Sequence, residues 1–227
     1  MKILCVSDQI DPLVYSSSIK TRFHDIDMVL CAGDLPLDYL DFIVSSLNRP
    51  LLFVFGNHNL ESYGRYRRGL KDQRRDSCRG QDTADGSRGS AGLTHAGSRV
   101  CTEGGLIIAG LGGSMLYNRG ENQYTEGRMF LEMVKIIPRL LINRIFRRRA
   151  LDILLTHAAP RGIHDRDDPC HRGFKSFLWF MKIFKPRYLI HGHIHLYDLA
   201  DVRATKYRDT TVINAYSQYL LNTEAFE

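Results

Sequence analysis

Short apolar runs that end in metal-ligand side chains recur along this chain, and they constrain its fold more than any other feature. Five strand-like segments end in the strings SDQI, GDL, GNHN, LTHA and GHIH. The candidate ligands in these strings are Asp8, Asp34, Asn57, His157, His193 and His195. Ligands of an open α/β sheet bind outside the carboxyl ends of its strands. We therefore expect these six side chains to meet at one sheet edge.

The combination of these side chains favours a metal site. Taken singly, Asp8 and Asp34 are suited to caps, and His157 to a buried core position. Asn57 is an ordinary turn residue. Burying all of them together costs several kcal/mol unless something such as a cation satisfies them. Oxygen and imidazole ligands arranged in this way can hold two divalent cations.

The order of the apolar segments predicts an α/β fold. Runs at 3–6, 28–32 and 51–55 are typical of buried strands, and the run from 37 to 47 has helical spacing after Pro36. Strand, helix and strand in this order predict a parallel βαβ crossover. The rest predicts a strand in GGLIIAGLGG, a helix from Thr125, a strand at 151–155, a helix at 174–184, a strand at 188–190 and a pair at 199–207 and 210–214.

Length and composition favour one domain over residues 1–227. The chain has 227 residues with 44% hydrophobic content, enough for one sizeable core. An Arg-, Gly- and Ser-rich insertion at about 61–100 predicts a mobile surface loop, either solvated or acting as a lid. Its arginines are suited to gripping a polyanionic substrate.

The basic amphipathic segment 129–149 has two interpretations. Cations at the end of a helix oppose its macrodipole, which accounts for the arginines structurally. A basic amphipathic helix can also lie on an anionic membrane, so peripheral membrane contact is the alternative. The periodic apolar positions are Phe130, Val134, Ile137, Leu141 and Ile145, and the arginines are Arg144, Arg147, Arg148 and Arg149.

Net charge and cysteine content indicate the kind of partner and the cellular compartment. A net charge of +6 favours anionic partners such as phosphate esters, nucleic acid or acidic membranes. The odd set of five cysteines argues against a disulfide framework. The apolar run in MKILCVSD is too short for a signal peptide, and no stretch approaches the roughly 18 apolar residues of a membrane span. We expect a soluble, cytoplasmic protein.

The motifs GD, GNH, a lone TH and GHxH, in this order, resemble those of the calcineurin-like metallophosphoesterases. The resemblance implies a four-layer α/β sandwich, with two β-sheets flanked by α-helices. It also implies a binuclear centre of Mn, Fe, Zn or Mg, whose hydroxide attacks phosphorus in a phosphomonoester or phosphodiester. In the implied roles Asp34 bridges the metals, Asp8 and His195 bind the first, Asn57, His157 and His193 bind the second, and His58 is the acid or charge stabiliser at the leaving oxygen.

Two positions depart from the family pattern. The opening motif is usually D-x-H, whereas this chain has Asp8, Gln9 and Ile10, so we expect weaker occupancy of the first metal site or a preference there for a harder, oxygen-seeking ion. Asn59 stands where the family commonly has an acidic residue, which should leave His58 less basic.

Substrate contacts and alternative functions stay open at this level. The loop after the lone histidine motif suggests His164 and His171 as substrate-binding residues, and Tyr117 and Tyr124 as walls of the pocket. The leading hypothesis is a metal-dependent phosphoric ester hydrolase. One alternative is a binding or scaffold protein with a weakened metal site. A nuclease is the other, although no nucleic-acid motif is present in the sequence.

Overall fold

The computed structural model describes residues 1–61, 63–64, 92–198 and 201–223. The elements within these residues are, in chain order, β1 (Lys2–Ser7), α1 (Ile19–Arg22), β2 (Met28–Cys31), α2 (Leu37–Leu47), β3 (Leu51–Phe53), β4 (Leu93–His95), β5 (Arg99–Glu103), β6 (Leu106–Leu111), β7 (Ser114–Met115), β8 (Gln123–Tyr124), α3 (Glu126–Arg147), β9 (Ile153–Thr156), α4 (Lys175–Phe184), β10 (Tyr188–His191), β11 (Ala204–Tyr207), β12 (Thr210–Asn214) and β13 (Ser217–Asn222).

Two large sheets carry the fold. The strand order of the first is β13-β1-β2-β3-β4, in which only the β13 pairing is antiparallel. The order of the second is β11-β12-β10-β9-β6-β5, with a parallel centre and an antiparallel strand at each edge. The parallel strands of each sheet therefore send their carboxyl ends to one edge.

Alternating side chains divide the core into layers. One cluster lies between the sheets and includes Ile3 and Leu30 of the first and Ile153 and Ile190 of the second. A second cluster packs α1 and α2 on the outer face of the first sheet. A third packs α3 and α4 on the outer face of the second sheet. The expected sandwich of two sheets flanked by helices is confirmed.

Local signals define the βαβ unit as expected. Pro36 is the N-cap of α2, and Asn48 ends the helix in the left-handed region with φ of 51°. The Asn48 N–H donates to the Val44 carbonyl oxygen at 2.8 Å, which satisfies an orphan carbonyl of the last turn. Because β2 and β3 pair in parallel, the predicted crossover is confirmed.

Helix α3 is present as predicted, but the side chains that it buries are not the periodic apolar ones from which the sequence predicts the helix. Most of the periodic apolar positions in the sequence face solvent, and Ile137 is partly buried. Packing against α4 and the second sheet covers the neighbouring stripe instead. The buried residues are Met129, Met133, Ile136, Leu140 and Asn143.

The carboxyl-terminal end of the predicted insertion is wrong. Strands β4 and β5 begin at Leu93 and Arg99, so regular structure starts well before residue 100. Residues 65–91, where most of the predicted loop falls, lie outside the described residues.

Strand β13, which the apolar pattern does not predict, closes the first sheet beside β1. In the described part of the chain, no helix is long and apolar enough to cross a membrane.

Candidate metal centre

Most of the predicted ligands follow parallel strands and meet at the expected edge. Asp8 comes after β1, His157 after β9 and His193 after β10. Asp34 and Asn57 lie in the loops after β2 and β3. Asp34, His157 and His193 each offer a ligand atom, and these atoms lie within 4.8 Å of one another. Residues from both sheets therefore build one cluster of metal-ligand type.

Three of these residues adopt left-handed backbone conformations. The φ angles are 63° for Asp8, 58° for Asp34 and 66° for His193. Such conformations are uncommon outside glycine and persist only where the surroundings hold them. The His193 N–H donates to both carboxylate oxygens of Asp8, at 3.0 and 2.9 Å. The Asp8 N–H donates to the Gly33 carbonyl oxygen at 3.1 Å. The loops of the two sheets thus hold one another in place.

His157 is the centre of the cluster, and its hydrogen bonds define its tautomer. Its Nδ1 donates to the Ala32 carbonyl oxygen at 2.8 Å. Its Nε2 faces two oxygen atoms, Oδ1 of Asn57 at 3.1 Å and Oδ2 of Asp34 at 3.3 Å. Burial lowers the pKa of His157, but the Asp34 carboxylate, with the Asp8 charge and the Ala32 carbonyl, outweighs it and raises the pKa to about 9. These oxygen atoms therefore require a positive charge beside them. A proton on Nε2 supplies that charge, and a bound cation would supply it in place of the proton.

The two buried carboxylates, Asp34 and Asp8, also favour a positive charge in the cluster. Burial raises the pKa of Asp34, but the charge and hydrogen bond of His157, together with the His58 N–H and the charge of His58, outweigh it and lower the pKa to about 2. The pKa of Asp8 is raised by burial, and the nearby Asp34 carboxylate raises it further while His157 lowers it. Adjacent carboxylates in a buried site favour a cation that neutralises both. The donor set fits a divalent metal.

Two glycines allow the close approach that the ligands need. Gly33 has φ of 103°, and a Cβ there would lie 2.7 Å from Nδ1 of His157. A Cβ at Gly56 would lie 2.5 Å from Cε1 of His157 and would collide with the Asp34 carboxylate. The glycines in GD and GNH are therefore required by packing against the ligands.

Tyrosines orient Asn57 and line its loop. The Asn57 side-chain amide donates to the Tyr117 hydroxyl at 3.3 Å, which leaves Oδ1 directed at His157. The Tyr124 hydroxyl donates to Oδ1 of Asn122 at 2.9 Å, and the Asn122 amide donates to the Gly56 carbonyl oxygen at 2.6 Å. Both tyrosines therefore lie beside the Asn57 loop, as the sequence suggests.

His193 contacts a loop that sequence reasoning did not connect to the ligands. Its Nε2 donates to the Cys170 carbonyl oxygen at 2.8 Å, so Nδ1 is the free acceptor of the ring. Burial lowers the pKa of His193 to about 3, and the charge of His157 acts in the same direction. A neutral imidazole is the form that binds a metal. A backbone carbonyl carries no side-chain signal, so the sequence could not have indicated this partner.

His195 and Ile10 lie at the looser side of the cluster. His195 is partly exposed, and its Nε2 is 4.0 Å from Oδ1 of Asp8. Its ring packs against Tyr216, with centroids 4.9 Å apart. The Ile10 side chain is exposed and offers no ligand atom. Tyr216 was not expected at the site, because it follows a different strand and belongs to no motif.

His58 and Asn59 both support the Asp34 loop through hydrogen bonds. The His58 N–H donates to Oδ1 of Asp34 at 2.8 Å, while the residue itself is exposed. The Asn59 amide donates to the Asp34 carbonyl oxygen at 2.9 Å, from a left-handed backbone with φ of 53°. The GNHN string therefore holds Asp34 as well as supplying Asn57.

His164 is tied into the protein through both ring nitrogens. His191 donates from Nδ1 to the Gly192 carbonyl oxygen, so its Nε2 accepts from Nδ1 of His164 at 3.0 Å. Nε2 of His164 then accepts from the Thr205 hydroxyl at 2.8 Å. These bonds fasten the loop to two strands of the second sheet, and contact with substrate stays a prediction.

His171 lies nearer to the ligands. Its ring centroid is 5.2 Å from that of His193. Its Nδ1 bonds both Asp168 carboxylate oxygens, at 2.9 and 3.0 Å. Asp168, Cys170 and His171 form a further group whose ligand atoms lie within 4.8 Å of one another. A substrate role for His171 likewise stays a prediction.

Comparisons with known proteins agree with this architecture. A crystal structure with a TM-score of 0.66 is 13% identical and covers 100% of this chain and 96% of its own. The crystal structure of TT1561 from Thermus thermophilus has a TM-score of 0.63 and is 12% identical, with the same coverage. At these identities the likeness shows the fold alone. A search of the curated proteins found no match. The profile of the calcineurin-like phosphoesterases matches residues 1–197, so this chain belongs to the calcineurin-like phosphoesterase family.

Proposed function

We propose that this protein is a metal-dependent hydrolase of a phosphomonoester or phosphodiester. The observation that carries the proposal is the buried group of Asp34, His157 and His193, whose ligand atoms lie within 4.8 Å of one another. Asn57 adds an oxygen atom beside Nε2 of His157. A donor set of carboxylate, amide and imidazole suits Mn, Fe, Zn or Mg.

In this proposal Asn57, His157 and His193 would hold one divalent ion, Asp8 and His195 would hold the other, and Asp34 would contribute to both sites. When bound, two such ions lower the pKa of a water molecule and neutralise the charge of the phosphoryl oxygens. The chain's own contribution is orientation. Ala32 holds the His157 ring, Tyr117 holds the Asn57 amide, and His193 holds the Asp8 carboxylate through its N–H.

His58 is proposed as the proton donor or charge stabiliser at the leaving oxygen. Its N–H donates to Asp34, which ties the residue to the ligand shared by both ions. Its exposure leaves the imidazole accessible to a substrate that approaches from solvent. General acid catalysis by a positioned side chain contributes roughly 10²–10⁴-fold.

The two ions are proposed to bind with unequal affinity. Ile10 removes one ligand of the family pattern, and His195 is partly exposed at the edge of the cluster. His157 and His193, in contrast, are buried. Titration of metal-stripped protein, with bound metal counted by mass spectrometry, should give one tight and one weaker site. Two sites of equal affinity would contradict this proposal.

Turnover can be tested on metal-stripped protein. We expect hydrolysis of p-nitrophenyl phosphate or bis-p-nitrophenyl phosphate to return when Mn, Zn, Mg, Ni or Fe(II) is supplied, with bound metal counted in parallel. The preferred ester distinguishes a monoesterase from a diesterase. Metal binding without turnover of either ester would support the scaffold alternative, and cleavage of labelled nucleic acid strands would support the nuclease.

Two variants separate metal binding from proton transfer. Asp34→Asn should lose both metal and turnover, because it removes the carboxylate shared by the sites. His58→Gln should keep its metal and lose roughly 10²-fold or more in turnover. Asp38→Asn and His24→Gln change exposed residues of the same types and serve as matched controls. Full turnover in the Asp34 or His58 variant would refute the assigned role.

Organisation and location also belong to the proposal. We propose a single domain over residues 1–227. Cys5, Cys31 and Cys170 are free thiols in the described residues. Free thiols support a reducing, cytoplasmic compartment.

A further inference from the structure

The outer side of α3 exposes an unusual number of large apolar side chains. Phe146 is 81% exposed, Ile145 73% and Leu131 60%. A helix of a globular protein normally turns such residues towards the core. The exposed apolar residues of this helix are Phe130, Leu131, Val134, Leu141, Ile142, Ile145 and Phe146, and together they are called the α3 outer face.

The α3 outer face lies along one side of the helix. Its members fall at 130–134 and 141–146, with the partly buried Ile137 between the two groups. The side that they share is next to the buried stripe of Met129 and Leu140. The Phe130 ring contacts Trp179 of α4, with centroids 5.3 Å apart. Trp179 and Ile183 are themselves exposed, so the apolar surface extends onto the second helix.

Basic side chains border this surface. Arg128 and Arg139 are exposed and stand 11 positions apart, about three helical turns, which places them along one edge of the helix. Lys135 lies on the same edge, but it is paired with Glu132. Arg144 and Arg148 are exposed towards the carboxyl-terminal end.

The acidic residues of α3 are engaged by other protein groups. Glu132 pairs with Lys135 and accepts from the Ser98 hydroxyl at 2.7 Å. Glu126 accepts from two N–H groups at the start of α4, those of Lys175 and Ser176. The field next to the apolar residues is therefore positive.

We propose that the α3 outer face docks on an anionic lipid bilayer, with α3 lying in the plane of the membrane surface. Apolar side chains would enter the boundary between headgroups and acyl chains. Long basic side chains at the edge would reach the anionic headgroups, and each Lys or Arg near such a surface contributes to binding. Trp179 would lie at headgroup depth, where tryptophan is enriched.

Charge complementarity favours a bilayer over a second copy of this chain. A symmetric dimer through the α3 outer face would bring the basic edges of both copies towards each other, and like charges in an interface are unfavourable. The chain also has a net charge of +6, which favours an anionic partner.

Vesicle flotation tests the proposal on the full chain. We expect the protein to float with vesicles of equal parts phosphatidylcholine and phosphatidylglycerol, and to bind phosphatidylcholine alone at least about tenfold more weakly. High salt should weaken binding, because exposed charges are screened. Trp179 is the only tryptophan, so its emission should shift to the blue on binding and be quenched by brominated acyl chains.

Two variants identify the surface. Ile145→Gln with Phe146→Gln should lower the partition coefficient at least about tenfold, because the most exposed apolar area is lost. The matched control is Val202→Gln with Leu220→Gln, which changes exposed apolar residues outside α3 and should bind as the parent does. Thermal unfolding of each variant shows whether it is folded.

Three results would overturn the proposal. The first is that the control pair weakens vesicle binding as much as the Ile145 and Phe146 pair does. The second is that the folded parent neither floats with vesicles nor changes its tryptophan emission. The third is that the parent forms a dimer without binding vesicles, and that the Ile145 and Phe146 pair dissociates this dimer. The last result would assign the surface to a second copy of the chain.

Discussion

The metal-free protein should lose stability between about pH 7 and about pH 9 because of His157. Its Nε2 faces oxygen atoms of Asp34 and Asn57, and its pKa is raised from 6.5 to about 9. A histidine with a raised folded-state pKa contributes stability that is fully present below the unfolded pKa. That contribution is lost as the pH rises through the folded pKa. His157→Gln should remove this pH dependence.

The magnitude follows from the two pKa values. The difference between 6.5 and about 9 corresponds to about 3 kcal/mol, at about 1.4 kcal/mol for each pH unit. Linkage places about 2 kcal/mol of this loss between pH 7 and pH 9. The Asp34 carboxylate is the main cause of the raised pKa, so Asp34→Asn should also flatten the dependence.

Urea unfolding at several pH values in the presence of a chelator measures this effect. The free energy of unfolding of the parent should fall by about 2 kcal/mol more than that of His157→Gln over this range. A bound metal replaces the proton, so the metal-loaded parent should not show the loss. Equal pH dependence in the metal-free parent and in His157→Gln would refute the idea that these oxygen atoms require a positive charge.

Other substitutions test the packing and the support of the site. Leu140→Ala should destabilise the protein by about 2–5 kcal/mol in urea unfolding, because Leu140 is fully buried, whereas the exposed neighbour Leu141→Ala should change stability by about 0.5 kcal/mol or less. His95→Phe should reduce the loss of stability from about pH 7.5 to about pH 5 by about 2 kcal/mol, because burial lowers the folded-state pKa of His95 to about 3, so that only the unfolded state takes up a proton over this range. Tyr117→Phe removes the hydroxyl that orients Asn57 and should weaken metal binding roughly 10-fold in a competition titration.

Each of these expectations has a result that would contradict it. A larger cost for Leu141→Ala than for Leu140→Ala would mean that the other stripe of α3 is buried. His24→Gln is the control for His95→Phe, because His24 is exposed, and it should keep the acid sensitivity of the parent. Unchanged metal affinity in Tyr117→Phe would show that Asn57 needs no such support.

Local spacing in the sequence determines a large part of this protein. Apolar runs followed by GD, GNH or TH predict strands with ligand-type side chains at their carboxyl ends, because a strand and the turn that ends it depend on neighbouring residues. The Pro36 and Asn48 signals bound α2 for the same reason. Parallel strands then bring Asp34, His157 and His193 to one edge. The family motifs extend this to the four-layer sandwich.

Tertiary structure alone decided what depends on residues distant in the chain. Helix α3 carries two apolar stripes, and contact with α4 and the second sheet selects the one that includes Leu140 for burial. Strand β13 pairs with β1 across nearly the whole chain, and the distance of His195 from Asp8 results from the meeting of two sheets. His164 is engaged by His191 and Thr205, which its own motif does not name. Burial and hydrogen bonding depend on the surface that lies opposite a side chain, and spacing along the sequence does not specify that surface.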